Sequence, residues 1–227
     1  WQGLHGDAAG RAAGIAYLQG LARLQEAQGA ACLDVNVDAF SADLDARIRA
    51  MTWTVDIVQQ AVRLPLGIDS SNGEILEAGL AACEPDRGRP LVNSVSLERQ
   101  AAIATAARYR AAVIATAAGE SGKPASAAER VANLARLIPL LQDAGLDPAA
   151  WHLDPLVYPI AVDSQNGNRV LEAVTALRET YGPAASIVPG ISNISFGMPN
   201  RKQINQVFAW LAVRHGATGG IADPAQI

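Results

Sequence analysis

ACLDVNV (residues 31–37) is a short apolar run interrupted by Asp34 and Asn36, and its reading decides the fold. The same design returns at LPLGIDSSN (64–72), PLVNSVS (90–96), WHLDPL (151–156), IVPGISN (187–193) and GGIADP (219–224). Each run leaves an Asp or Asn where an extended segment gives way to a loop: Asp34, Asn36, Asp69, Asn93, Asp154, Asn193 and Asp223. AAVIATA (111–117) is the most continuously apolar of the strand-like segments. In a β-then-α architecture the strand ends converge on one rim, and polar groups gathered there form a site.

Helix-length segments separate these runs. Residues 10–28 carry Ile15, Leu18, Leu21 and Ala22 at helical spacing, with Gly29 as a stop. Further helices are expected over 42–62, 73–82 and 97–109. Ser126 and Glu129 have capping-box spacing and open a helix with Val131, Leu134, Ile138 and Leu141 on one face, ending near Gly145. Val170, Leu171, Val174 and Leu177 mark the next, stopped by Tyr181-Gly182-Pro183; Ile204, Val207, Phe208 and Leu211 mark the last. The count is seven strands, whereas a closed (β/α)8 barrel needs eight. The expected fold class is therefore α/β, a TIM (β/α)8 barrel forming one domain over residues 1–227. Its first strand and last helix are absent from the chain, which opens on a helix and closes on a strand. An open doubly wound sheet is the alternative, but it rarely brings polar residues from so many strand ends to one place.

Composition narrows the function. A chain of 227 residues that is 50% hydrophobic can bury one substantial core. A net charge of −4 gives no ground for a nucleic-acid or anionic-membrane partner. Two cysteines imply no disulfide framework, and three scattered histidines imply no zinc site. No apolar stretch approaches the roughly 18 residues that cross a bilayer, and WQGLHGDAAGR at the start lacks the pattern of a signal peptide. Neither a GxGxxG fingerprint nor a GxxxxGK[ST] loop is present, so a nucleotide-binding reading has no support. A cytoplasmic enzyme is the expectation.

Strand-end Asp and Asn often do no more than cap the following helix. Three features favour a site here. Ser70, Ser71 and Asn72 can cap in place of Asp69. Asn93 lies inside a β-like run, where an unsatisfied amide costs about 1–3 kcal/mol. Asp154 precedes Pro155, which removes one N–H from the local capping set. Carboxylates and carboxamides without a histidine cluster suit a ligand rich in N–H donors and ring acceptors, a heterocycle.

In that order, LDVNVD (33–38), IDSSN (68–72), VNSVSLE (92–98), LDPLVYP (153–159) and GISNISFGMPNR (190–201) resemble the pterin-binding methyltransferases that act on methyltetrahydrofolate. These are the methyltetrahydrofolate:corrinoid protein methyltransferases and the folate module of cobalamin-dependent methionine synthase. GISNISFGMPNR is the most specific piece. The resemblance implies a TIM barrel, usually homodimeric, with the pterin at its C-terminal mouth and the cobalamin or corrinoid supplied by a partner protein. No Asp-x-His-x-x-Gly corrinoid signature occurs in this chain. Carried across, Asp69, Asn93 and Asp154 correspond to residues that hydrogen-bond the pterin ring, and Asn193 to the residue that reaches N5. Asp34 is expected near the ring, Gly190 and Ser192 in neighbouring loop contacts, and Arg201 near the corrinoid or the folate tail. The implied reaction is transfer of the N5-methyl group to Co(I), or the reverse, with Asn193 and Asp154 as the catalytic residues.

The nearest competing family is dihydropteroate synthase, whose Ser-Arg-Lys type element after the seventh strand is replaced here by SNISFGMPNR. A non-catalytic pterin-binding module is the reading from another class. The AGESGKPASAAER segment (117–130), with Lys123, reads as a solvated loop leading into a helix.

Overall fold

The computed structural model describes residues 2–120 and 122–227. Six parallel strands occur in chain order: β1 (Leu33–Asn36), β2 (Leu66–Asp69), β3 (Leu91–Val95), β4 (Ala112–Thr116), β5 (Trp151–Asp154) and β6 (Ser186–Ile187). The helices are α1 (Gln2–His5), α2 (Ala8–Ala27), α3 (Leu44–Gln59), α4 (Gly73–Ala82), α5 (Ala101–Arg108), α6 (Ala127–Asp143), α7 (Asn166–Tyr181) and α8 (Arg201–His215). A helix follows every strand, as the apolar runs and intervening helical periods predict. None of the described helices is long and apolar enough to cross a membrane.

Contacts divide the chain into two compact units, residues 1–93 with 105–111, and residues 94–104 with 112–227. In the first, β1 pairs β2 with Asp34 opposite Gly67 and Asn36 opposite Asp69, and β2 pairs β3 with Asp69 opposite Asn93. Met51 and Val55 of α3, Ile75, Leu76 and Leu80 of α4, and Ile68 and Val92 of the strands are excluded from solvent. A Cβ on Gly79 would lie 2.6 Å from Ile68 Cγ2, so α4 sits directly on β2.

In the second unit β4 is buried at every position, the pattern of a parallel strand covered on both faces. It pairs β5 with Thr116 opposite Asp154, and β5 pairs β6 with Leu153 opposite Ile187. The capping box opens α6 as expected: Glu129 N–H donates to Ser126 Oγ at 3.1 Å, and Glu129 Oε2 accepts from Ala125 N–H, one residue earlier than the standard motif, at 2.8 Å. The stops predicted at Gly29 and Gly182 hold, with φ of 91° and 72°.

Three expectations are corrected. SIVPGISN is not a strand through residue 193: β6 ends at Ile187, Pro189 offers no N–H to a ladder, and Ile191–Ser195 coils into a 3-10 turn. GGIADP forms no strand but one parallel bridge between Gly190 and Ile221, and Asp223 caps the short turn that follows by accepting from Ala225 N–H at 3.0 Å. On α6 the buried face runs through Arg130, Leu134, Leu137 and Leu141, so Arg130 takes the place foreseen for Val131. Ser121, inside the 117–130 loop, lies outside the described residues.

Candidate active site

The first unit assembles Asp34, Asp69 and Asn93 through strand register. Asp69 and Asn93 stand opposite each other at the C-terminal part of β2 and β3. Asp34, one strand further away on β1, reaches Asn93 directly: Asn93 Nδ2 donates to Asp34 Oδ2 at 2.9 Å. Gly67 makes the reach possible, because a Cβ there would stand 2.6 Å from Asp34 Oδ1. Asp34 meets solvent but protein closes around its other sides. That loss of hydration raises its pKa to about 6, with the Asp69 charge adding to the rise and the Asn93 hydrogen bond opposing it.

Asn36 and Asn72 serve the backbone. Asn36 Oδ1 accepts from Asp38 N–H at 2.9 Å, and Asn72 Oδ1 caps α4 by accepting from Glu74 and Ile75 N–H. Asn72, not Asp69, is thus the α4 cap. Asp38, which sequence reasoning passed over, clasps the next loop, accepting from Ser70 Oγ at 2.5 Å and from Ser71 N–H and Oγ at 3.0 Å. Those bonds hold its pKa below the usual carboxylate value against the opposing effect of partial burial. Its place in LDVNVD, two residues after the residue paired with Asp69, was the available signal.

The second unit assembles Asp154, Gly190, Ser192, Asn193 and Arg201. Asp154 ends β5 and is 6% exposed. Burial raises its pKa to about 6, opposed by the Leu156 and Gly190 N–H groups and the Arg130 charge. Leu156 N–H donates to Asp154 Oδ1 at 2.9 Å. Gly190 caps the 191–195 turn, and a Cβ on it would meet Asn193 Nδ2 at 2.9 Å. The glycine therefore makes room for the Asn193 amide. Asn193 is exposed, and its side chain has no protein partner among the described residues. Ser192 Oγ is buried and has no partner among the described residues.

Arg201 is committed to the turn itself. Its Nη2 donates to Ser192 O at 3.0 Å and its Nε to Ser195 Oγ at 3.1 Å, while Ser195 Oγ donates to Asn205 Oδ1 at 2.7 Å. Its guanidinium also lies 5.9 Å from the Phe196 ring centre. The expectation that it lies near a corrinoid or folate tail thus has a competing structural role. Cys32 and Cys83 are free thiols, and burial pushes Cys32 up to about 12, which keeps it protonated and inert.

Acceptors and amides of this kind suit a heterocycle with an aminopyrimidinone edge, since a carboxylate accepts paired N–H donors. Residues 16–223 match the pterin binding enzyme family. The chain is 30% identical over 214 residues to the methylcorrinoid:tetrahydrofolate methyltransferase of Eubacterium limosum, spanning 92% of this chain and 76% of that protein. Among solved structures, the Xanthomonas albilineans dihydropteroate synthase with indole-2-carboxylic acid and 6-chloroguanine superposes with a TM-score of 0.75 at 20% identity, covering 93% of this chain and 82% of that one. The Yersinia pestis dihydropteroate synthase with a pterine-sulfa conjugate gives 0.71 at 16% identity, covering 93% and 84%. At such identities these two share the fold. The chain belongs to the pterin binding enzymes, in the methyltransferase line that the Eubacterium limosum protein represents.

Proposed function

We propose that this chain moves the N5-methyl group between 5-methyltetrahydrofolate and the cobalt of a corrinoid carried by a separate protein. The observation that carries the reading is the Asn193 amide, exposed and without a partner among the described residues, on a turn whose cap, Gly190, has no side chain to obstruct it. Asn193 donates an N–H to N5. As the methyl group leaves, N5 keeps the electron pair and takes up a proton, and in the reverse direction it gives that proton up. A neutral amine is a poor leaving group, so a donor whose bond strengthens as charge gathers on N5 lowers the barrier. Asp154 accepts N–H donors of the pterin as a carboxylate and belongs to the proton network around N5. Asp34, Asp69 and Asn93 present further acceptors and an amide to the ring. Ser192 contributes its buried hydroxyl, and Arg201 keeps the turn in shape.

The test is methyl loss from 5-methyltetrahydrofolate with cob(I)alamin, read as methylcobalamin absorbance, with Asn193→Ala alongside. Turnover is expected, with kcat about 100-fold lower in the variant and KM little changed. Condensation of a pterin diphosphate with 4-aminobenzoate, without methyl transfer, would assign the chain to the synthase chemistry instead. Folate binding with neither reaction would leave a binding module.

A further inference from the structure

Arg130 is the largest fully buried side chain among the described residues and lies in the first turn of α6. A buried guanidinium normally faces a carboxylate at close range, yet this one makes no ion pair among the described residues. Its Nη1 donates to Ser126 O at 3.0 Å, its Nε to Leu156 O at 3.3 Å, and its plane lies 5.0 Å from the Tyr158 ring centre. Nη2 has no partner. Leu156 has a φ of 61°, in the left-handed region that a branched side chain avoids. Such a residue persists only where its surroundings hold it from both sides. Here the two holds are visible: the Leu156 carbonyl accepts from Arg130, and the Leu156 N–H donates to Asp154 Oδ1 at 2.9 Å.

We infer that Arg130 is a positioning residue for Asp154. It fixes Leu156 in its strained turn so that the N–H faces the carboxylate, and it adds buried positive charge that favours the anion. The advantage to pterin binding rests on the function proposed above; the clamp itself does not. Burial raises the Asp154 pKa, and the Arg130 charge opposes that rise together with the Leu156 and Gly190 N–H groups. Around Arg130 stand Tyr158, Arg169 and Glu129, and Lys123 lies 5.6 Å from the Tyr158 ring centre. The Tyr158 phenol, raised to about 12 mainly by burial, stays neutral through the working range.

The experiment is a ligand-free titration of aspartate 13Cγ resonances, with Asp154→Asn assigning the signal, in wild type, Arg130→Gln and Arg130→Lys. Gln keeps a donor without charge; Lys keeps charge without the planar fork. Circular dichroism confirms folding, and affinity for 5-methyltetrahydrofolate is measured across the same pH range. The Asp154 midpoint is expected to rise by about one pH unit in Arg130→Gln and to stay within a few tenths in Arg130→Lys. The folate-binding profile of Arg130→Gln should move to higher pH with it. Midpoints equal to wild type in both variants, with only thermal stability reduced, would overturn the inference and leave Arg130 as helix packing. If the wild-type protein binds no folate while the midpoint still shifts, the functional reading fails and the clamp stands.

Discussion

Asn93 donates to Asp34 Oδ2 at 2.9 Å from two strands away, passing over Gly67 of the strand between. The pair exists because one position of β2 has no side chain. Gly67→Ala would place a Cβ 2.6 Å from Asp34 Oδ1 and force the carboxylate aside. Folate affinity is expected to fall about tenfold, with about 1–3 kcal/mol lost from stability. Calorimetric titration and urea unfolding read the two; unchanged affinity would remove Asp34 and Asn93 from the pterin contacts.

Gly190→Ala tests the other glycine that makes room for a side chain. Its Cβ would meet Asn193 Nδ2 at 2.9 Å, displacing the amide while leaving the residue in place. The variant is expected to lower kcat by about 10- to 100-fold, toward the Asn193→Ala value, with KM within a few-fold of wild type. Adding Asn193→Ala to Gly190→Ala should then cost little more, a non-additivity that a double-mutant cycle detects.

Asp154 has a folded pKa of about 6 against an ordinary value of 3.8. A raised folded pKa means that the stabilising contribution is complete below about pH 4 and is lost as pH rises through about 6. Asp154→Asn should therefore raise unfolding free energy at pH 7.5 by about 3 kcal/mol, with the gain vanishing below about pH 4. Denaturant unfolding at the two pH values checks the sign. Methyl transfer in the same variant should be severely reduced, so the carboxylate trades stability for its role at the site.

Asp38 behaves in the opposite sense. Its pKa is lowered in the folded protein, so its contribution is present above the ordinary carboxylate value and fades as pH falls through the folded one. Asp38→Ala releases Ser70 and Ser71 together and is expected to lose about 1–3 kcal/mol at pH 7. Amide exchange of Ser71 should quicken well beyond that of the β2 core. Unaltered exchange at Ser71 would show that the clasp does not order the loop.

The recurrence of short apolar runs ending in Asp or Asn made the β/α order legible, because strand burial and loop polarity both write themselves locally. It also separated Asp69 from the cap, since Asn72 stood three residues on and took that role. Gly67 was not legible: its meaning lies in its register opposite Asp34, which no local pattern encodes. Arg130 was passed over for a different reason. It continues the spacing of Leu134, Leu137 and Leu141, but a charged residue at that phase reads as a solvated edge until packing buries it. GGIADP looked like a strand by composition, yet its two glycines and Pro224 leave only the bridge at Ile221. The 191–195 turn was hidden inside an apolar run because Pro189 ends the ladder sooner than hydrophobicity falls.

β6 offers just two residues to the sheet before the chain departs into the turn that bears Asn193. The turn is thus fastened by the side chains of Arg201, Ser195 and Asn205 and by single backbone bonds, Ile191 N–H to Ile221 O and Ile160 N–H to Ile194 O, in place of a continuous ladder. Fastening of this kind can open and reclose one segment at a time without unzipping a strand. Opening of the turn would therefore leave β6 in the sheet, and amide exchange at Asn193 is expected to be faster than at Ile187.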